Sequence, residues 1–222
     1  MKIHKHGFVK LLEVMGNDEE VENAARISYG EGTRKVSQTR NLIRYLMRHK
    51  HTSPFEMCEV KFHIKLPIFV MRQLVRHRTA NINEYSGRYS IMSDEFYLPA
   101  EADVQEQSES NNQGRGKDLD EENKIFVLSR MVNVTDQAKE CYRQIATPSP
   151  LDGFHEGFKG IARELARTVL PVSNYTECIW KIDLNNFFHF AKLRMDAHAQ
   201  KEIQDYASAM YELVKPEFPI CC

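Results

Sequence analysis

The chain has 222 residues, 42% of them hydrophobic and 27% charged, which excludes a disordered chain, a collagen-like fibre and a small disulfide scaffold. Thirty Lys and Arg stand against 31 Asp and Glu, so a net charge of -1 offers no bulk attraction to nucleic acid or an anionic membrane. The five cysteines (Cys58, Cys141, Cys178, Cys221, Cys222) are odd in number and form no CxxC pair, so reduced thiols are expected rather than a zinc knuckle or a disulfide frame.

In chain order, the N-terminus lacks a secretory apolar run, and no stretch approaches the ~20 apolar residues of a membrane span. A cytoplasmic protein is the expectation. Apolar or small residues at Val21, Ala24, Ala25 and Ile27 predict a helix over 18–29, ending near Gly30 and Gly32. A second helix is predicted from Ser37, its candidate cap, to Lys50. Its apolar face is Leu42, Ile43, Leu46 and Met47, and Arg40, Arg44 and Arg48 form a solvated stripe.

Residues 58–66 alternate strictly, with Cys58, Val60, Phe62, Ile64 and Leu66 on one side and charged or His side chains on the other. That is a half-buried strand ended by Pro67. A helix is predicted from Ile68 to His77, then extended or loop structure over 84–98. Residues 101–123 hold eight acidic residues, two basic ones and no aromatics, the composition of a mobile surface insertion. Helices are predicted over 122–146 and 154–169, the latter presenting Phe158, Ile161, Leu165 and Val169 on one face. A strand over 172–182 follows, and then one long helix from Leu184 to Val214, capped by Asp183. Helices and strands without regular alternation argue an α+β fold in a single domain spanning 1–222.

The glycines write neither a GxGxxG turn nor a P-loop, and the histidines are too sparsely spaced for a zinc site, so no metal is expected. The informative stretch is 72–89. It packs four Arg, one His and one Glu, a local charge of +3, among the hydroxyls and amides of Thr79, Asn81, Asn83, Ser86 and Tyr89. Guanidinium forks with nearby hydroxyls suit phosphate or carboxylate oxygens. A buried salt-bridge network fits the same residues on chemistry alone. On the last helix, projection at ~100° per residue places His198 inside an apolar stripe of Leu184, Phe187, Phe188, Ala191, Met195, Tyr206 and Leu213, with Arg194 at its edge. A guanidinium there needs a partner. His198 in that stripe reads either as a satisfied core histidine or as a functional one.

The stretch Arg76-His77-Arg78-x-x-Asn81-x-Asn83-Glu84-x-Ser86-x-Arg88-Tyr89 resembles the RHRxxSxNExSxRY signature of flavin-dependent thymidylate synthases (the ThyX family), with Asn81 where the pattern usually has Ser. Arg26-Ile27-Ser28, His51-Thr52-Ser53-Pro54-Phe55-Glu56, Phe69-Val70-Met71-Arg72-Gln73, Leu170-Pro171 and the 193–200 stretch follow in the family's order. The resemblance implies an α+β fold with a central antiparallel sheet flanked by long helices, not a Rossmann fold. It implies dTMP formation from dUMP, with 5,10-methylenetetrahydrofolate as carbon donor and FAD, reduced by NADPH, as hydride donor. It also implies a homotetramer with active sites between subunits and no cysteine nucleophile.

Carried onto this sequence, Gln73, Leu74, Val75, Arg76, Ser86, Gly87, Arg88 and Arg167 would hold dUMP, with Glu84 and Tyr85 reaching in from a neighbouring subunit. Arg194 would sit against the uracil and favour its ionisation at N3, and His51 would act near the flavin. Ser28, Ser53, Glu56, Arg76, His77, Arg78, Asn83, Glu84, Asp183, Leu184, Asn185, His189 and His198 would contact FAD. Asp183 and His189 stand where relatives often carry Asn. Two other readings compete with the flavoenzyme: a nucleic-acid-binding module using the basic 72–89 cluster with Tyr85 and Tyr89 as stacking platforms, and a metal-dependent hydrolase built on His49, His51, His63 and His77.

Overall fold

Strict alternation over 58–66 folds into the middle of an antiparallel sheet. The computed structural model describes residues 1–28, 39–110 and 113–222. Its elements are β1 (Lys2–Ile3), β2 (Gly7–Met15), α1 (Asp18–Arg26), α2 (Thr39–Arg48), α3 (Ser53–Glu56), β3 (Glu59–Pro67), α4 (Ile68–Leu74), β4 (Asn81–Glu84), β5 (Gln105–Gln107), β6 (Arg115–Asp118), α5 (Glu121–Ala146), α6 (Arg163–Ala166), β7 (Tyr175–Asp183), α7 (Leu184–Arg194) and α8 (Lys201–Val214). Five strands pair in the order β1-β2-β3-β7-β4, every neighbour antiparallel. No helix of the described residues is long and apolar enough to cross a membrane.

One face of β3 buries Val60, Phe62, Ile64 and Leu66. Phe62 stacks with Trp180 of β7 and Phe187 of α7, at ring-centroid distances of 6.3 and 5.9 Å. Tyr206 and Met210 of α8 and Phe218 beyond it close the same core. The opposite face is polar and laced across strands, with Lys181 on Glu59 at 2.7 Å and His63 on Glu177 at 2.8 Å. Partly exposed pairs of this kind add little stability, about 0–1 kcal/mol each. The apolar layer carries the fold. Asp18, buried at the start of α1, accepts the backbone N–H groups of Ile220 and Cys221 and so pins the C-terminal tail.

Several expectations need correction. The predicted 68–77 helix ends at Leu74, because Arg76 and His77 bond back to Gln73 and Leu74 three residues earlier and tighten the last turn. The predicted 154–169 helix is reduced to α6 and a 3-10 turn at Arg167–Val169. Gly153, Gly157 and Gly160 have φ of +77°, +85° and +93°, left-handed values that interrupt a right-handed helix, and Phe158, Ile161, Leu165 and Val169 are exposed.

The acidic stretch over 101–123, expected to be a mobile insertion, carries a 3-10 turn at Glu101–Asp103 and the β5–β6 hairpin, with α5 starting at Glu121. The predicted helix over 184–214 breaks into α7 and α8. Asp196 accepts the backbone N–H of His198 at 2.8 Å, and Gln204 Nε2 donates to the carbonyls of Asp196 and Ala199. These side chains offer the backbone an alternative to helical bonding. Asp183 caps α7 as expected, accepting Asn186 N–H at 2.9 Å. The predicted cap Ser37, and Gly30 and Gly32, lie outside the described residues.

Candidate active site

The C-terminal turn of α4 delivers Gln73, Arg76, His77 and Arg78 to the C-terminal half of α7, where His189 and Arg194 project. Arg76, His77, Arg78, Thr79, Asn186, His189 and Arg194 line a hollow of about 370 Å³, and Gln73 stands behind Arg194. Arg194 stands half-buried there. Its Nε donates to His77 Nε2 at 3.0 Å, Nη1 lies 3.5 Å from Gln73 Oε1, and Nη2 lies 3.4 Å from the Gln73 backbone oxygen. All these partners are neutral. Burial, followed by the charges of Arg194 and His189, pushes the His77 imidazole down to about 4, so it accepts as a neutral base at physiological pH.

Among the described residues, none of the guanidinium groups of Arg76, Arg78 and Arg194 meets a carboxylate. Three cations gathered around one hollow without counter-charge raise each other's cost, and burial, followed by the charge of Arg76, pulls Arg194 below its ordinary value. An anionic ligand relieves that cost.

A second group forms where the 3-10 turn after α6 meets the loop following β4. A Cβ on Gly87 would stand 3.1 Å from Arg167 Cδ, so the missing side chain lets Arg167 pack against the loop. Ser86 Oγ accepts the Arg88 N–H at 3.3 Å, and Arg88 pairs with Glu164 at 3.3 Å. Glu84, on the sheet edge, accepts from Thr176 Oγ1 at 2.9 Å, and the Tyr85 hydroxyl donates to the Ile91 carbonyl at 2.7 Å. A third group lies between α1, α2 and α3, where Ser28, His51 and Ser53 share a hollow of about 520 Å³ with apolar walls. The His51 ring stands 5.9 Å from that of Tyr45.

The structure thus brings together Gln73, Arg76, His77, Arg78, His189 and Arg194; separately Ser86, Gly87, Arg88 and Arg167; and separately Ser28, His51 and Ser53. Leu74 and Leu184 are buried in the core, and Val75 is exposed at the end of α4. Glu56 and Asn83 are exposed away from these hollows, while Asn185 is half-buried on α7. Both carboxylate oxygens of Asp183 are engaged by Asn186. His198 is not in the apolar stripe that a continuous helix predicts. It is exposed in the 195–200 linker, paired with Asp196, and lines a different hollow beside the β5–β6 hairpin. The Arg194–His77 bond escaped the sequence reading, which had no way to pair residues 117 positions apart.

Three guanidinium groups around a polar hollow on an α+β scaffold define a protein that binds a phosphorylated or otherwise anionic small molecule. The cations ring a concavity rather than running along a face, which disfavours a nucleic-acid surface. Among the described residues, no group of three or more His, Cys, Asp or Glu is placed to hold a metal ion.

Comparison with known proteins gives the class its family. The model of the family described as thymidylate synthase complementing protein matches residues 10–220. The chain is 52% identical over 219 residues to the flavin-dependent thymidylate synthase of Ehrlichia ruminantium (strain Gardel), covering 99% of this chain and 70% of that one. It is 46% identical over 230 residues to the protein of the same name from Dictyostelium discoideum, covering 100% and 72%. The crystal structure of the UMP/dUMP methylase PolB from Streptomyces cacaoi, bound with 5-Br dUMP, superposes with a TM-score of 0.83 at 32% identity, covering 100% of this chain and 95% of that one. The chain belongs to the flavin-dependent thymidylate synthase (ThyX) family.

Proposed function

We propose that this chain converts dUMP to dTMP, taking the methylene of 5,10-methylenetetrahydrofolate, with FAD as cofactor and NADPH as its reductant. The observation that carries this reading is the uncompensated guanidinium cluster of Arg76, Arg78 and Arg194 around the hollow beside α7. That donor set fits the pyrophosphate of FAD and the anionic groups of dUMP. When bound and reduced, the flavin supplies the hydride that completes the methyl group.

The chain's own residues do the rest. Arg76 and Arg78 hold phosphate oxygens, and Arg88 and Arg167 offer a second set of forks at the Ser86-Gly87 loop. Arg194, held among the described residues by neutral partners, keeps its full charge for the pyrimidine ring and stabilises negative charge developing there. Its location against the C-terminal end of α4 makes the donors preorganised rather than free to reorient. Ser28, Ser53 and His51 form the wall of the hollow assigned to the flavin ring.

Four of the five thiols are unsuited to nucleophilic work. Burial pushes Cys178 up to about 12 and Cys222 to about 11, and raises Cys58 and Cys221 as well. A thiol held protonated at neutral pH is a poor nucleophile, in keeping with a route that uses no enzyme cysteine.

The proposal includes self-association as a homotetramer whose subunits complete each other's sites. Two features support it. The groups around Arg194, Arg167 and His51 are held by separate parts of one chain. In addition, the 26-residue α5 buries only Tyr142 and leaves Ile125, Phe126 and Val134 about 60% exposed. Apolar side chains on that scale mark an interaction surface. A cytoplasmic location belongs to the same reading.

The test is a visible absorption spectrum of the purified protein, taken without oxygen before and after NADPH and dUMP, with dTMP followed by chromatography. A flavin band that bleaches with NADPH and responds to dUMP is expected. Colourless protein that takes up no added FAD would overturn the proposal.

A further inference from the structure

Helix α2 carries Arg40, Arg44 and Arg48, with Lys50 just past its end, and no acidic residue occurs over 39–50. A solvated helix face ordinarily mixes its charges, because like charges four residues apart repel. Here three guanidinium groups follow one another at that spacing. All three are exposed, and among the described residues none meets a carboxylate. The neighbouring α1 does not answer them, since its Glu22 pairs with Arg26 of the same helix. Arg48 lies back along α2, its Nε donating to the Arg44 carbonyl oxygen at 3.3 Å, which leaves its terminal nitrogens without a partner among the described residues.

The stripe borders the hollow between α1, α2 and α3. Tyr45, about 60° around the helix from Arg48, lines that hollow together with His51. Its ring packs on His49 at a centroid distance of 4.2 Å and stands 5.9 Å from His51, and all three side chains are exposed. Aromatic surface at a hollow with unpaired cations beside it matches a flat ring system that carries a flexible anionic tail. Among the reactants of the synthase reading, methylenetetrahydrofolate has that layout: pteridine and p-aminobenzoyl rings, then glutamate, which further γ-linked glutamates extend. A γ-glutamyl link spans five bonds against the three of a ~3.8 Å α-peptide step, so successive α-carboxylates stand roughly 6 Å apart when extended. Residues four apart on a helix rise by about the same 6 Å.

We propose that Arg44 and Arg48, with Arg40 beyond them, form a subsite for the glutamate tail of the folate cosubstrate, so that the enzyme favours polyglutamyl over monoglutamyl methylenetetrahydrofolate. This rests on the thymidylate synthase reading above. The tail lies away from the reacting atoms, and its contacts are the same in ground and transition states. Such binding lowers KM and leaves kcat alone. Held by exposed charges, it weakens with added salt.

The experiment measures KM and kcat of the flavin-loaded enzyme for monoglutamyl and pentaglutamyl 5,10-methylenetetrahydrofolate, for wild type and the double variant Arg44→Gln/Arg48→Gln. Calorimetric titration with the two matching tetrahydrofolates gives a readout without turnover. Wild type is expected to show a KM at least ~10-fold lower for the pentaglutamyl form at equal kcat, the scale of two or three exposed charge pairs. High salt should shrink that advantage. The double variant should lose most of it in both KM and affinity, with kcat, flavin absorbance and melting temperature at wild-type values, since both side chains are exposed. A merely structural role would shift the two folates in the same proportion and leave their ratio unmoved. Equal KM values in wild type overturn the subsite, as does a pentaglutamyl advantage that survives in the variant, and dTMP formed in either case leaves the synthase reading standing. Protein that forms no dTMP and binds neither folate removes both together.

Discussion

The Nε of Arg194 donates to Nε2 of His77 at 3.0 Å, joining the start of the signature motif to the end of α7. For Nε2 to accept, the imidazole must be neutral with its proton on Nδ1. The His77 value near 4 keeps it so across the physiological range. A neutral acceptor orients the guanidinium without discharging it. A carboxylate in the same place would orient it equally well but would cancel the field that the pyrimidine is to feel.

Arg194→Ala removes that field and leaves His77 and Gln73 without their donor. Formation of dTMP is expected to fall at least ~100-fold, the scale of losing one preorganised donor aimed at developing charge. Bound flavin and the melting temperature should change little, since Arg194 packs at a rim. Arg194→Lys should recover only a small part, because one ammonium cannot reach His77 and both oxygens of Gln73 at once. Turnover near wild type in Arg194→Ala would remove this residue from the chemistry.

His77 also makes a prediction about pH. Its folded value, about 4, lies below the ordinary 6.5, so between these values the unfolded chain binds the extra proton. Stability from this group is therefore fully present above pH 6.5 and is lost as pH falls toward 4. Between pH 7 and pH 5 the loss should be about 1–2 kcal/mol, allowing for partial exposure of the ring. Urea unfolding of wild type and His77→Gln at the two pH values measures it. The variant should show a smaller drop, and equal drops would mean that His77 is not held neutral.

The legible parts of this molecule are those set by local pattern. Strict alternation over 58–66 predicted β3 to within a residue, the helix expected over 122–146 ends at Ala146, and Asp183 marked the start of α7. The basic motif was legible as an anion site because guanidinium chemistry does not depend on fold. What stayed hidden depends on partners distant in sequence. Projecting 184–214 as one helix put His198 in the core, because periodicity takes no account of a side chain such as Asp196 competing for backbone N–H groups. The partner of the buried Glu202 is likewise distant, Arg115 standing 87 residues earlier.

Glycine supplies the clearest of the misread breaks, and it can be tested. Gly160 sits at φ +93°, and a Cβ there would stand 2.9 and 3.0 Å from the carbonyl oxygens of Ala146 and Ile145. Gly160→Ala meets both the left-handed penalty and that crowding, so a loss of about 1–3 kcal/mol is expected in urea unfolding. Gly157 has nothing within 4 Å of the same position, so Gly157→Ala should cost only the backbone penalty of about 1–2 kcal/mol. Equal effects at the two sites would show that the carbonyl contact is unimportant.

The Ser86-Gly87-Arg88 loop and Arg167 form the second set of forks, and their pairing decides what their removal should do. Arg88 is exposed and, among the described residues, pairs with Glu164 alone, a pair worth about 0–1 kcal/mol, so Arg88→Ala should leave stability almost unchanged. Arg167 packs along Gly87 without an acidic partner among the described residues. Each is expected to lose at least ~10-fold in dUMP affinity by calorimetry when changed to Ala, because a charge-assisted bond to phosphate is forfeited. The loss should be largely absent with deoxyuridine, which has no phosphate to hold. If dUMP binds both variants as tightly as wild type, the phosphate lies elsewhere, and the cluster of Arg76 and Arg78 is where it should next be sought.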